Sequence, residues 1–208
     1  MILALAGVSY TYGEREISFP DWSIDQSNHS LILGKSGSGK TTLLHLIGGL
    51  MKASKGRVEV EGLELGRMKQ GELDRFRGQR VGIVFQRPHL VRSLTVRENL
   101  MLAQTLSGAR ANSAQVDMTL EKLDILELSH RKVHQVSQGQ AQRVSIARAV
   151  INKPRLLLAD EPTASLDDES CDRVIRLLKE QAEETNATLV VATHDQRVKG
   201  EFENKLTL

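Results

Sequence analysis

The chain reads as an α/β protein, a parallel-sheet core interrupted by a helical insertion. Three observations predict this. Short apolar runs suited to buried strands occur at residues 31–33, 81–85, 155–159 and 188–192. Helical patterns alternate with strands at both ends of the chain, as parallel strands joined by crossover helices require. From Thr95 to Ala149 the pattern turns helical throughout.

In order, residues 2–33 read as short strands broken by Gly13, Pro20 and Asn28. A helix over Leu43–Ile47 stops at the Gly48-Gly49 pair. Residues 57–61 alternate as a strand, 72–77 form a short helix, and the β-branched run 81–85 forms a buried strand. Thr95 with Glu98 forms a capping box ahead of Val96, Leu100 and Ala103, which share one helix face. Amphipathic stretches follow at 113–128 and 140–150. A last helix over 168–183 separates the strands at 155–159 and 188–192. Residues 1–86 and 151–208 therefore make the core, and 87–150 the helical subdomain.

Composition narrows the function classes. Of the 208 residues, 40% are hydrophobic and 26% charged, as in an ordinary globular domain. A net charge of +2 gives no argument for nucleic acid. Aromatic residues at 3% leave no platform for stacking bases. The lone Cys171 excludes an internal disulfide and reads as a small residue on a partly buried helix face. No run of about 18 apolar residues is available to span a bilayer. The apolar start Met1–Ala6 lacks a basic flank and continues as a strand, so it is not read as a signal peptide.

The chemistry begins at residues 34–42, Gly34, Lys35, Ser36, Gly37, Ser38, Gly39, Lys40, Thr41 and Thr42, between an apolar strand and a helix. This is a P-loop in its required setting. Glycines let the backbone close around a phosphate chain, and the helix N-terminus turns its positive end to the same anion. Lys40 supplies a point charge for the β- and γ-phosphates, and Thr41 a hydroxyl for Mg²⁺. The ligand is a nucleoside triphosphate, read as ATP. Further on, the apolar run Leu156–Ala159 ends in Asp160 and Glu161. Groups at the carboxyl ends of parallel strands face the ligand. Asp160 is placed to hold Mg²⁺, and Glu161 to take a proton from an attacking water.

Between these motifs, Val136-Ser137-Gln138-Gly139-Gln140 opens a helix and resembles the signature of ATP-binding cassette (ABC) ATPases, commonly Leu-Ser-Gly-Gly-Gln. Gln86 after Phe85 matches that family's Q-loop, Ser165-Leu166-Asp167 its D-loop, and His194 its switch histidine. Tyr12 matches the A-loop aromatic, with Tyr10 as competitor. The resemblance covers essentially the whole chain. Val136 for Leu and Gln138 for Gly are its departures. Arg75–Arg77 and His130–Lys132 read as solvated faces, and the histidines other than His194 follow no metal-ligand spacing.

The resemblance implies a P-loop NTPase core with an N-terminal antiparallel β-subdomain and an inserted α-helical subdomain carrying the signature. It implies ATP and Mg²⁺ as cofactors, with Thr41, Gln86 and Asp160 around the metal. Glu161 would polarise water, and His194 would contact the γ-phosphate. Ser137, Gln138, Gly139 and Gln140 would act in trans, on the ATP of a second copy, in a head-to-tail homodimer. A separate membrane permease would dock near residues 87–102, holding the chain at the cytoplasmic face of the membrane. Arg87-Pro88-His89-Leu90, Leu94–Leu100 and Thr193–Arg197 are similar to the lipoprotein-release, macrolide-efflux and cell-division branch. A nutrient-importer motor stays open. So does a soluble ABC ATPase acting on DNA or ribosomes, though no sustained heptad pattern separates Lys40 from Ser137.

Overall fold

The computed structural model describes residues 1–164 and 166–208. Two sheets form, of opposite kinds. The first is antiparallel and gathers β1 (Leu3–Tyr12), β2 (Arg15–Ser18), β3 (Trp22–Ile24), β5 (Lys55–Val60) and β6 (Leu63–Glu64), with β1 pairing β2, β3 and β5. The second is parallel, in the order β10 (Asn204–Thr207), β4 (Ser30–Leu33), β9 (Thr188–Thr193), β8 (Leu156–Asp160), β7 (Val81–Val84).

Every residue of β4, β8 and β9 is buried, which is why their sequences are apolar without alternation. The period of two still operates, because it divides the core in half. Ile32, Leu156, Leu158, Val190 and Ala192 face one side, against α1 (Lys40–Ile47) and the antiparallel sheet. Leu31, Leu33, Leu157, Leu189 and Val191 face the other, against the remaining helices. Helix α1 thus lies between the two sheets, with Leu43, Leu44, Leu46 and Ile47 all buried. Each such side chain contributes roughly 1.5–3 kcal/mol of burial free energy. This packing fixes where the P-loop points.

The helical region builds on its caps. Thr95 accepts from the Glu98 N–H at 3.2 Å, and Glu98 answers the Thr95 N–H at 2.7 Å, so the capping box opens α3 (Val96–Leu106). Buried Asn99 holds the preceding loop, accepting from the Val91 N–H and donating to the Val91 and Thr95 carbonyls. Asn112 caps α4 (Ser113–Lys122), which an Arg97–Asp117 ion pair ties to α3. Helix α5 (Gln138–Val150) lies against both α3 and β7. A Cβ at Gly82 of β7 would meet the Ala149 carbonyl oxygen at 2.3 Å, so only glycine admits the α5 backbone this closely. Helix α6 (Asp168–Thr185) covers β9, with Cys171, Ile175 and Leu178 fully buried.

Several boundaries differ from the sequence reading. Helix α2 (Gln70–Arg80) extends past both expected ends. Helix α4 stops at Lys122 rather than running to Leu128. Asp124 adopts φ 55°, and a short 3₁₀ turn over Leu126–Leu128 follows. Leu123, Ile125 and Leu128 are buried there without helical geometry, so apolar content outlasted the helix. Helix α5 starts at Gln138, since Ser137 is its cap. The edge strands β6 and β10 were not anticipated; both are short and partly exposed. No helix among the described residues is long and apolar enough to cross a membrane.

Candidate active site

Strand β4 ends under the loop Gly34–Gly39, which leads into α1. Gly39, the helix cap, sits at φ 101° with Phe19 and Ile17 within 3.3 Å of where a Cβ would be. Lys40 is buried at the start of α1, and its Nζ donates to the Gly34 carbonyl at 2.9 Å and the Lys35 carbonyl at 3.2 Å. These bonds curl the loop around the ammonium group. The same Nζ stands 3.2 Å from Glu161 Oε1.

Thr41 Oγ1 donates to Asp160 Oδ1 at 3.2 Å, joining the P-loop helix to the end of β8. Burial is the main influence on Asp160 and pushes its carboxyl above the usual aspartate range; the Thr41 hydrogen bond opposes the shift. Glu161 follows at φ 46°, a left-handed conformation that costs a non-glycine residue about 1–3 kcal/mol. It is held there by its N–H donating to the Ala192 carbonyl at 2.7 Å, and by its carboxylate. Glu161 Oε2 accepts from Thr193 Oγ1 at 2.9 Å and the His194 N–H at 3.3 Å, and His194 Nδ1 lies 2.9 Å away. Burial pushes the Glu161 carboxyl up, but the bonds from His194, Thr193 and Lys40 together outweigh it and hold it below the ordinary range.

Lys40, Thr41, Glu161 and His194 line a cleft of about 440 Å³, while Asp160 and Thr193 are buried and do not themselves line it. Tyr12 stands at its far wall, half-exposed, with its hydroxyl 3.1 Å from Thr42 Oγ1. Tyr10 packs edge-on behind it, 4.6 Å between ring centroids, and lies against the core of the antiparallel sheet, so Tyr12 is the ring that reaches the cleft. Gln86 enters from the loop after β7, beyond Phe85, whose ring meets the edges of His45 and His89. Ser36, Gly37, Gly39, Lys40, Thr41, Thr42, Gln86, Glu161 and His194 therefore meet at one place, while Gly34, Lys35 and Ser38 shape the loop behind them.

The four signature residues are not among them. Ser137 caps α5 with its own partner Gln140: the Gln140 N–H donates to Ser137 Oγ at 3.3 Å, and the Ser137 N–H to Gln140 Oε1 at 2.9 Å. Gln138 and Gly139 are exposed beside it. Of the D-loop match, Ser165 lies outside the described residues. The sequence reading missed Arg15 and Ile17, which line the cleft from β2, and Thr193, which bonds Glu161. Arg15 reaches the cleft because the β1–β2 hairpin register sets it opposite Tyr12, which no local sequence pattern marks.

A P-loop between two sheets, facing a carboxylate at the end of a parallel strand, defines a P-loop nucleoside triphosphatase. The ABC transporter family profile matches residues 19–164, and the chain belongs to that family as an ATP-binding, ATP-hydrolysing cassette. The lipoprotein-releasing system ATP-binding protein LolD of Shewanella oneidensis is 36% identical over 216 residues, covering 100% of this chain and 94% of its own. Among solved structures, the dimeric cassette MJ0796, described as bacterial, superposes with a TM-score of 0.88 at 33% identity, over 100% of this chain and 94% of that one. A post-hydrolysis dimer of MJ0796 bound to ADP and Pi matches with the same TM-score.

Proposed function

We propose that this chain is the motor subunit of a transporter of the lipoprotein-release type, working as a head-to-tail homodimer beneath a separate membrane permease. The observation that carries the reading is the Lys40–Glu161–His194 cluster, assembled inside a cleft that its own signature residues do not reach. The likeness to LolD proteins over the full chain supports the transporter branch.

The P-loop amides and Lys40 hold the phosphates of ATP. Tyr12 offers its ring to the adenine. Glu161, kept ionised by its hydrogen bonds, accepts a proton from water attacking the γ-phosphate. His194 steadies Glu161 through Nδ1 and reaches the γ-phosphate with its other edge. The residues present fit Mg²⁺. Thr41, Asp160 and Gln86 supply oxygen donors only, as a hard cation prefers, and buried Asp160 is a carboxylate whose charge has no cationic partner within salt-bridge distance among the described residues. The bound ion would neutralise charge on the phosphates. Ser137, Gln138, Gly139 and Gln140 close over the nucleotide of the second copy, offering the α5 N-terminus to its phosphates.

The permease docks at residues 87–102. Leu90, Val96 and Leu100 pack inward there, leaving Arg87, Val91 and Arg92 exposed. Docking beside Gln86 makes permease shape and nucleotide state bias one another. The chain is thereby held at the cytoplasmic face of the membrane. The test is isolation of tagged Glu161→Gln protein with ATP from membranes of the source organism. Stoichiometric recovery of an integral membrane protein is expected, together with its loss when Arg87 and Arg92 are both reversed to Glu. Recovery of the ATPase alone in both samples would remove the transporter assignment.

A further inference from the structure

Two loops carry the reacting groups: one runs on from Glu161, the other begins at His194, directly after Thr193 at the end of β9. A single side chain fastens them together. Arg197 Nε donates to Asp195 Oδ1 at 2.9 Å, and Nη2 to Asp195 Oδ2 at 2.7 Å. Both of its terminal nitrogens reach the Leu166 carbonyl at 3.2 Å, and Nη1 reaches Asp168 Oδ1 at 2.5 Å. The guanidinium thus grips residues 166–168 on one side and Asp195 on the other.

Asp195 extends the grip inward. Its Oδ2 accepts from Thr163 Oγ1 at 3.1 Å, and its N–H donates to Thr193 Oγ1 at 3.0 Å. That same Thr193 hydroxyl is the donor to Glu161. The path from Arg197 to the Glu161 carboxylate therefore passes through two residues, Asp195 and Thr193. Most surface ion pairs contribute little. This one differs, because Asp195 is only 13% exposed and its carboxylate meets a planar fork at two points. The Arg197 bonds hold the Asp195 carboxyl down to about 2.

We propose that Arg197 is a positioning residue of the ATPase: it braces residues 166–168 against the His194 loop and so fixes the Glu161 carboxylate and the His194 ring in their working orientation. Glu161 needs such a brace, since its φ of 46° is a strained conformation that surrounding bonds must maintain. The proposal rests on the reading of Glu161 as proton acceptor. A lysine can replace the arginine only in part, because one ammonium group cannot span Asp195, Asp168 and the Leu166 carbonyl as a planar fork does.

Cys171, the chain's single cysteine, gives an independent readout. It is fully buried, 3.8 Å from Asp195 Oδ2, on the helix that starts beneath the clamp. The experiment compares wild type with Arg197→Ala, Arg197→Gln and Arg197→Lys. It measures steady-state ATPase, affinity for a fluorescent ATP analogue, and the rate of Cys171 labelling by Ellman's reagent. The expected result is a roughly tenfold lower kcat in the Ala and Gln variants, an intermediate value for Lys, nucleotide affinity within about twofold of wild type, and Cys171 labelling at least about fivefold faster. Wild-type kcat in the folded Gln variant would overturn the proposal. So would a kcat loss matched by an equal loss of nucleotide affinity, which marks general collapse of the cleft. If Glu161→Gln itself retained ATPase, the reading of Glu161 would fail first, and the positioning role with it.

Discussion

The P-loop end and the signature end of the chain are built on opposite plans. At the P-loop end, Lys40, Thr193 and His194 all bond to Glu161 at the cleft wall, and each side chain has a partner. At the signature end, the side chains of Ser137 and Gln140 bond, among the described residues, only to each other's backbone N–H, and their neighbours Gln138 and Gly139 are exposed. The first region is organised around its own chain. The second is a finished helix N-terminus that does not line the cleft of its own chain. In the proposed head-to-tail dimer a second copy would supply the missing half, so association and catalysis would be one event.

The largest effect should come from the inner half. Glu161→Gln keeps the shape of the side chain and loses its basicity, and should lower ATPase by about 10²–10⁴-fold while ATP binding persists. With ATP the variant should run as a dimer on size exclusion. Turnover within twofold of wild type would remove Glu161 from the proton-accepting role.

Lys40→Ala tests binding rather than chemistry. Loss of a charge-assisted contact worth about 1.5–3 kcal/mol should weaken ATP affinity roughly tenfold to a hundredfold. Titration with a fluorescent analogue measures this. An unchanged affinity would mean that the Lys40 bonds to Gly34, Lys35 and Glu161 are purely structural.

Ser137→Arg addresses the outer half. It should abolish turnover and leave nucleotide binding within about twofold, since Ser137 does not line its own cleft. Mixing it with Lys40→Ala subunits should restore activity, because one composite site of the heterodimer then carries neither lesion. Proven heterodimers without recovery would break the comparison drawn above.

The smallest effect is on stability. Asp195 titrates at about 2 in the folded protein against 3.8 in an unfolded chain. A depressed carboxylate stabilises the fold above the unfolded value and loses that contribution as pH falls through the folded one. About 1–2 kcal/mol should therefore disappear between about pH 4 and pH 2, after allowance for the partly exposed Arg197. Asp195→Asn should flatten this part of a urea-midpoint-versus-pH curve. A curve with an unaltered slope would show that the Asp195–Arg197 bonds contribute little to folding.

Much of the cleft was legible because its parts are local. The P-loop needs consecutive residues, and Asp160-Glu161 ends an apolar strand. Buried strands were legible for the same reason, since complete burial writes itself as an unbroken apolar run. What escaped was set by pairing in the fold rather than by a local pattern. Nothing around Arg197 announces Leu166 or Asp168, and Arg15 becomes a cleft residue only through hairpin register. The end of α4 was misplaced because Leu123, Ile125 and Leu128 stay buried after the backbone has turned at Asp124. Strand β10 has a partly exposed edge sequence, and its pairing with β4 decides its conformation.

The contact between Gly82 and Ala149 makes α5 a lever with a fixed fulcrum. Its C-terminal end is pressed onto β7, backbone to backbone, with no side chain between to cushion sliding. Its other end carries Ser137. A 13-residue helix is about 20 Å long, so a rotation of about 6° at the fulcrum sweeps the signature through about 2 Å. In the proposed dimer, a tilt of this size would be enough to make or break a hydrogen bond between the α5 N-terminus and the partner's nucleotide.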